Sequence, residues 1–96
     1  MKAKAIVIHE KDTVATTLEP LCAGDMIPVE IQNHIEKIKL VDEIPAGHKF
    51  AIIDMEAGTD VIKYGEPIGQ TTLKIARGEH VHRHNVASRT KQESRQ

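Results

Sequence analysis

Three histidines alternate late in this chain: His80, His82 and His84, with Val81 and Arg83 between them. In an extended strand, side chains two residues apart share a face, so the three imidazoles would point one way and Val81 and Arg83 the other. Like-facing neighbours then sit roughly 6.6 Å apart at Cα, from about 3.3 Å of rise per residue. Two imidazoles at that spacing can converge on one metal ion through bonds of about 2.0–2.1 Å. Histidine also titrates near neutrality, so the same residues could move a proton. A His-x-His pair on an exposed strand is equally a solvated polar surface, and the spacing does not choose between these readings.

The elements that must carry these residues read as strands. Four places share one pattern: a small or basic residue, a glycine, one or two polar residues, then apolar ones. They begin at Ala23-Gly24, Ala46-Gly47, Ala57-Gly58 and Arg77-Gly78. Glycine supplies positive φ for a tight turn, and the apolar residues that follow start a strand. The intervals are uneven, so this is no solenoid repeat. Between the turns, Lys2–Ile8, Asp12–Leu18, Ile27–Ile31, Glu36–Val41, Ala51–Asp54 and Thr71–Ala76 read as short strands. They are rich in β-branched residues or alternate in polarity. Pro28 suits an edge or a strand start, Asn33-His34 a turn, and Ile38 and Leu40 an inward face. Short strands separated by glycine turns predict an all-β module.

A chain of 96 residues is one domain. Its only aromatics besides histidine are Phe50 and Tyr64, so its core must be aliphatic. A formal net charge of −1 argues against a nucleic-acid surface or an anionic membrane partner. A single cysteine, Cys22, excludes an internal disulfide and fits a reducing compartment. No apolar run suggests a membrane span or a signal peptide, so the expected location is cytoplasmic. Residues 87–96 are polar and aperiodic, which predicts a domain over 1–86 followed by a flexible tail.

Three motifs in order resemble a known family. Ile44-Pro45-Ala46-Gly47-His48-Lys49, then Lys63-Tyr64-Gly65-Glu66-Pro67-Ile68-Gly69, then Gly78-Glu79-His80-Val81-His82-Arg83-His84-Asn85 look like the small N-terminal domain of altronate and galactarate dehydratases. The match is specific from Asp42 to Asn85 and looser before it. The small subunit of sulfolactate sulfo-lyase is a further relative by this resemblance. The resemblance implies a SAF-type module with a β-clip fold. It also implies a hydro-lyase that dehydrates a sugar acid, using a divalent metal such as Fe²⁺ or Mn²⁺.

Carried onto this chain, the resemblance implies His48, Lys49 and His82 as catalytic residues. Lys63, Tyr64 and Asn85 would bind substrate, and His82 and His84 would hold metal. Each has a plainer alternative: His48 and Lys49 as solvated turn residues, Lys63-Tyr64-Gly65 as ordinary core and turn. Gly65 and Gly69 bracket Pro67 as backbone shaping. His80 falls outside the fixed positions of the motif and is left out of the expected site. Arg83 stands where relatives carry an apolar or small residue, while His9 and His34 read as surface residues. Removing a proton next to a carboxylate needs a base in reach and a stabiliser for the resulting charge. The carboxylate ligands an oxygen-preferring metal wants are not evident. The expected partners are therefore a large catalytic dehydratase subunit and a carboxylated sugar, with a homo-oligomer left open. A non-catalytic module binding a sugar acid or a protein is the alternative class.

Overall fold

The computed structural model describes residues 3–88. Nine short strands form there: β1 (Ala5–Ile6), β2 (Val14–Thr17), β3 (Met26–Ile31), β4 (His34–Lys39), β5 (Lys49–Ala51), β6 (Asp60–Lys63), β7 (Glu66–Thr71), β8 (His80–Val81) and β9 (Val86–Ser88). There is no helix among the described residues, so the chain is all-β as expected. One antiparallel sheet runs β1-β2-β5-β8, a second is the β3-β4 hairpin, and a third runs β6-β7-β9.

Period-two alternation in β2 and β5 places the first sheet between two cores. Ala15 and Phe50 face one cluster, built on Ile27, Val29, Ile38, Leu40 and Ile44. Their neighbours Val14 and Ala51 face the other, with Met55, Val61, Ile75 and Val81. Phe50 is fully buried and is the largest side chain in either cluster. Truncating it to alanine would cost ~3–5 kcal/mol, because the aliphatic neighbours cannot close the void.

The four glycine turns frame both cores. Leu21 pairs with Ile44, and Met55 with Ile75, as isolated antiparallel bridges one turn ahead of strands β3, β5, β6 and β8. The turn before β5 shows the common form: Gly47 has φ +81° and its amide donates to Thr17 O at 3.1 Å, while His48 N–H donates to Pro45 O at 3.0 Å. Gly78, with φ +93°, does the same before β8, donating to Ala51 O at 2.8 Å. Its Cα packs so tightly that an added Cβ would run into the Lys39 carbonyl oxygen. These turns aim the residues that follow, His48 and His80, from two different loops.

Several expected elements differ. The predicted strand at 71–76 is instead β7, Glu66–Thr71, followed by bends and the Ile75 bridge. Pro67 and Gly69 are residue types that weaken a strand interior. Pro67 is tolerated because β9 flanks only the later part of β7, from Gly69 to Thr71. Gly69 is required because β9 crosses it: a Cβ would lie 2.6 Å from Ala87 O. Ala87 and Ser88, assigned to a tail by composition, are strand residues paired with Gln70 and Gly69. The rest of that predicted tail lies outside the described residues. The first hairpin turns at Gln32-Asn33, with φ +50° and +70°, and His34 already belongs to β4. The histidine strand is short: β8 ends at Val81, and Asn85 N–H turns back to His82 O at 3.1 Å.

Candidate functional site

The pairing of β5 with β8 assembles the histidines. Lys49 lies opposite Val81 and Phe50 opposite His80, so one further step of the same register sets His48 against His82. Their rings stack with centroids 4.4 Å apart and planes 18° from parallel. His80 points to the same side, and His48 Nδ1 is 2.9 Å from His80 Nε2. One ligand atom from each of His48, His80 and His82 lies within 4.8 Å of the others. All three rings are half-buried, continuing the face that Phe50 occupies deeper in the core.

Buried polar groups hold this arrangement. The Thr17 hydroxyl, almost fully buried, reaches Pro45 O at 3.0 Å and His48 O at 3.2 Å. An Asp42 carboxylate oxygen accepts the His80 backbone N–H at 2.9 Å. Asn85 Oδ1 accepts the His82 N–H at 3.0 Å, and Asn85 Nδ2 donates to His80 O at 2.9 Å. Each histidine is thus fixed through its own backbone.

The surroundings favour neutral side chains. Burial, then the nearby His48, His84 and His82, lowers the pKa of His80 below the ordinary imidazole range. Burial, then His48 and the Lys49 ammonium, lowers that of His82. Lys49 is itself lowered, first by burial and then by the charge of Lys63. A neutral imidazole carries the lone pair that a metal or a proton needs. Lys49 follows His48 in the strand and so faces the other way, toward Ile68 and Val86, in a recess of about 160 Å³ that His82 also lines. Lys63 Nζ stands 4.9 Å above the Tyr64 ring, on the exposed Tyr64-Gly65 turn joining β6 to β7.

Of the expected metal pair His82 and His84, the structure brings His82 together with His48 and His80. His84 is exposed, its ring 5.3 Å from that of His80 and tilted, outside the group of three. Asn85, expected to touch substrate, is buried, with both ends of its amide engaged by the backbone of its own loop. His80, set aside on motif grounds, is central. Its alternation with His82 was the available signal. Asp42 and Thr17 gave none, since each acts through a backbone group distant in sequence. Among the described residues no carboxylate joins the histidine group. The larger recesses, about 500 and 320 Å³, lie between the β3-β4 hairpin and the chain from β1 through Glu10, and contain none of these three histidines.

Residues 3–89 match the family described as altronate/galactarate dehydratase SAF domain. The chain is 44% identical to the altronate dehydratase of Escherichia coli K12, over 84% of this chain and 16% of that protein. It is 38% identical to the (2R)-sulfolactate sulfo-lyase subunit alpha of Chromohalobacter salexigens, over 86% of this chain and 93% of that subunit. Galactarate dehydratase (L-threo-forming) of Escherichia coli K12 is 36% identical over 76% of this chain and 13% of its own length. The chain therefore spans about a sixth of the altronate dehydratase it matches. No helix among the described residues is long and apolar enough to cross a membrane.

Proposed function

The chain belongs to the altronate/galactarate dehydratase SAF-domain family, and on that premise we propose that it is the small component of a lyase acting on a hydroxy acid, with a larger chain completing the active site. The observation that carries this reading is the grouping of His48, His80 and His82 within 4.8 Å, with His82 also lining the recess that holds Lys49. Sugar-acid dehydration is the favoured reaction. Loss of sulfite from sulfolactate is the second reading, favoured by the match over 93% of a sulfo-lyase subunit. The expected cytoplasmic setting is supported by the lone, exposed thiol of Cys22.

The three imidazoles fit a divalent transition metal. Two nitrogens bonded to one ion at about 2.1 Å sit roughly 3.0–3.4 Å apart, and the 2.9 Å between His48 Nδ1 and His80 Nε2 is already close to that. An all-nitrogen set suits Fe²⁺ better than Mn²⁺, whose oxygen ligands would have to come from substrate or partner. When bound, such an ion supplies a Lewis acid that stabilises negative charge beside a carboxylate. Lys49 Nζ would take the proton from the carbon next to the carboxylate, because burial and Lys63 favour the neutral amine a base requires. The resulting ammonium would return that proton to the departing β-hydroxyl, which leaves as water while the carbon–carbon double bond forms. Lys63, held over Tyr64, offers a charge to the acid's outer part. Asp42, Asn85 and Thr17 keep the rings in place and touch no substrate.

Mixing the chain with a separately produced large dehydratase chain tests the reading. Altronate or galactarate should be consumed by the mixture and by neither protein alone. Turnover by this chain alone, or none by the mixture with metal present, would refute it.

A further inference from the structure

Beyond the histidines, the recess on the Lys49 side of β5 and β8 has features of its own. Its floor is apolar, from Ile68, Val81 and Val86, and its rim carries Lys49, His82, Arg83 and Ser88. No acidic residue lines it. Lys49, Lys63 and Arg83 make no salt bridge among the described residues. The Arg83 guanidinium on the rim of an apolar floor attracts an anion strongly, since low-polarity walls screen charge less than water does. At about 160 Å³ the recess is smaller than the ~300 Å³ at which whole-ligand pockets begin. It has room for the head of an acid and not for a six-carbon chain. His82 borders both this recess and the histidine group, so a ligand head here lies one ring away from the imidazole ligands.

We propose that this recess seats the oxoanionic head of the substrate, a carboxylate or sulfonate, on Arg83 and Ser88, with the carbon chain passing Lys49 and His82 toward the histidine group. The inference rests on the hydroxy-acid reading above and adds the subsite that fixes the acid's orientation. Arginine's planar fork matches a carboxylate or sulfonate in two-point contact, and Ser88 adds a hydroxyl donor. The rest of the substrate then extends out of this chain, where a larger partner would hold it.

The test uses the metal-free chain, with NMR detection of the Arg83 Nε–H group and the backbone amides of 80–88. Galactarate should give saturable shifts at Arg83, His82 and Val86 together. Arg83→Gln should weaken it about tenfold, the loss expected for one charge-assisted contact. Arg83→Lys should recover part of that loss. Inorganic phosphate should compete at the same resonances, more weakly. Cobalt binding by Arg83→Gln should stay within twofold of the unsubstituted chain, which separates this subsite from the metal reading. Absence of saturable shifts, or equal affinity in Arg83→Gln, would overturn the subsite while leaving the metal reading standing. Binding of phosphate with no response to galactarate would overturn it in favour of a free-anion site.

Discussion

His48 Nδ1 lies 2.9 Å from His80 Nε2, although the two residues are 32 positions apart. At that distance one ring nitrogen donates its N–H and the other accepts it, which ties the tautomers of the two rings together. His82 stacks on His48, and burial followed by the neighbouring rings holds His80 and His82 toward their neutral, lone-pair-bearing state.

A pH dependence follows. The folded pKa of His80 and His82 is lowered, so the unfolded chain binds protons first as pH falls. Stability is therefore complete above the unfolded histidine value of about 6.5 and declines below it, levelling once pH passes the folded values. Protons also compete with metal for the same lone pairs. Thermal melts and cobalt titrations at pH 7.5 and 5.5 should both show the loss at the lower pH. A melt that rose on acidification would contradict the assignment.

Asn85 should be a stability residue. Asn85→Ala leaves the His82 N–H and the His80 carbonyl without their side-chain partner in a half-buried loop. The cost should be ~2 kcal/mol, a fall of roughly 10 °C in Tm for a domain this size. A melt within 2 °C or so of the original would return Asn85 to the role of substrate contact.

Gly24 and Gly78 separate conformational strain from crowding. Both have positive φ, +89° and +93°, but a Cβ meets nothing within 4 Å at Gly24, whereas at Gly78 it meets the Lys39 carbonyl oxygen. Gly24→Ala should cost only ~1–2 kcal/mol, the left-handed penalty. Gly78→Ala should cost well beyond that and disturb the turn that aims His80. Equal costs in urea unfolding would show that the backbone at Gly78 moves aside freely.

Much of the fold was legible from local rules. The four glycine turns each stand ahead of a strand, and Ile38 and Leu40 are buried while Lys37 and Lys39 are exposed. β7 was hidden because Pro67 and Gly69 are strand-breaking types; only the position of β9 makes them acceptable. The site was legible in part. Alternation places His80 and His82 on one face, but the approach of His48 to them is set by the β5–β8 register, which no local pattern encodes. The family motif left His80 out, whereas plain alternation puts it beside His82, where the structure has it. Asn85 carries a polar amide that reads as functional, yet its partners are backbone groups within five residues.

Lys49 offers a kinetic test in the two-chain enzyme. Lys49→Ala should lower turnover by about 10²–10⁴-fold, the usual effect of losing one proton-transfer group. Cobalt binding should be retained. Because the amine pKa is depressed by burial and Lys63, the rate should rise with pH on a limb lying below the ordinary lysine value of about 10.4. Unchanged turnover would remove Lys49 from the chemistry.

Cobalt titration, followed by visible absorption, tests the central claim most directly. The chain should bind one Co²⁺ with a nitrogen-rich spectrum. His48→Ala, His80→Ala and His82→Ala should each abolish that spectrum or weaken binding at least tenfold, while remaining folded by circular dichroism. His84→Ala should bind within about threefold of the original, since His84 stands outside the group of three. A spectrum that survives His80→Ala and is lost in His84→Ala would contradict the account, as would the absence of any cobalt spectrum in the folded chain.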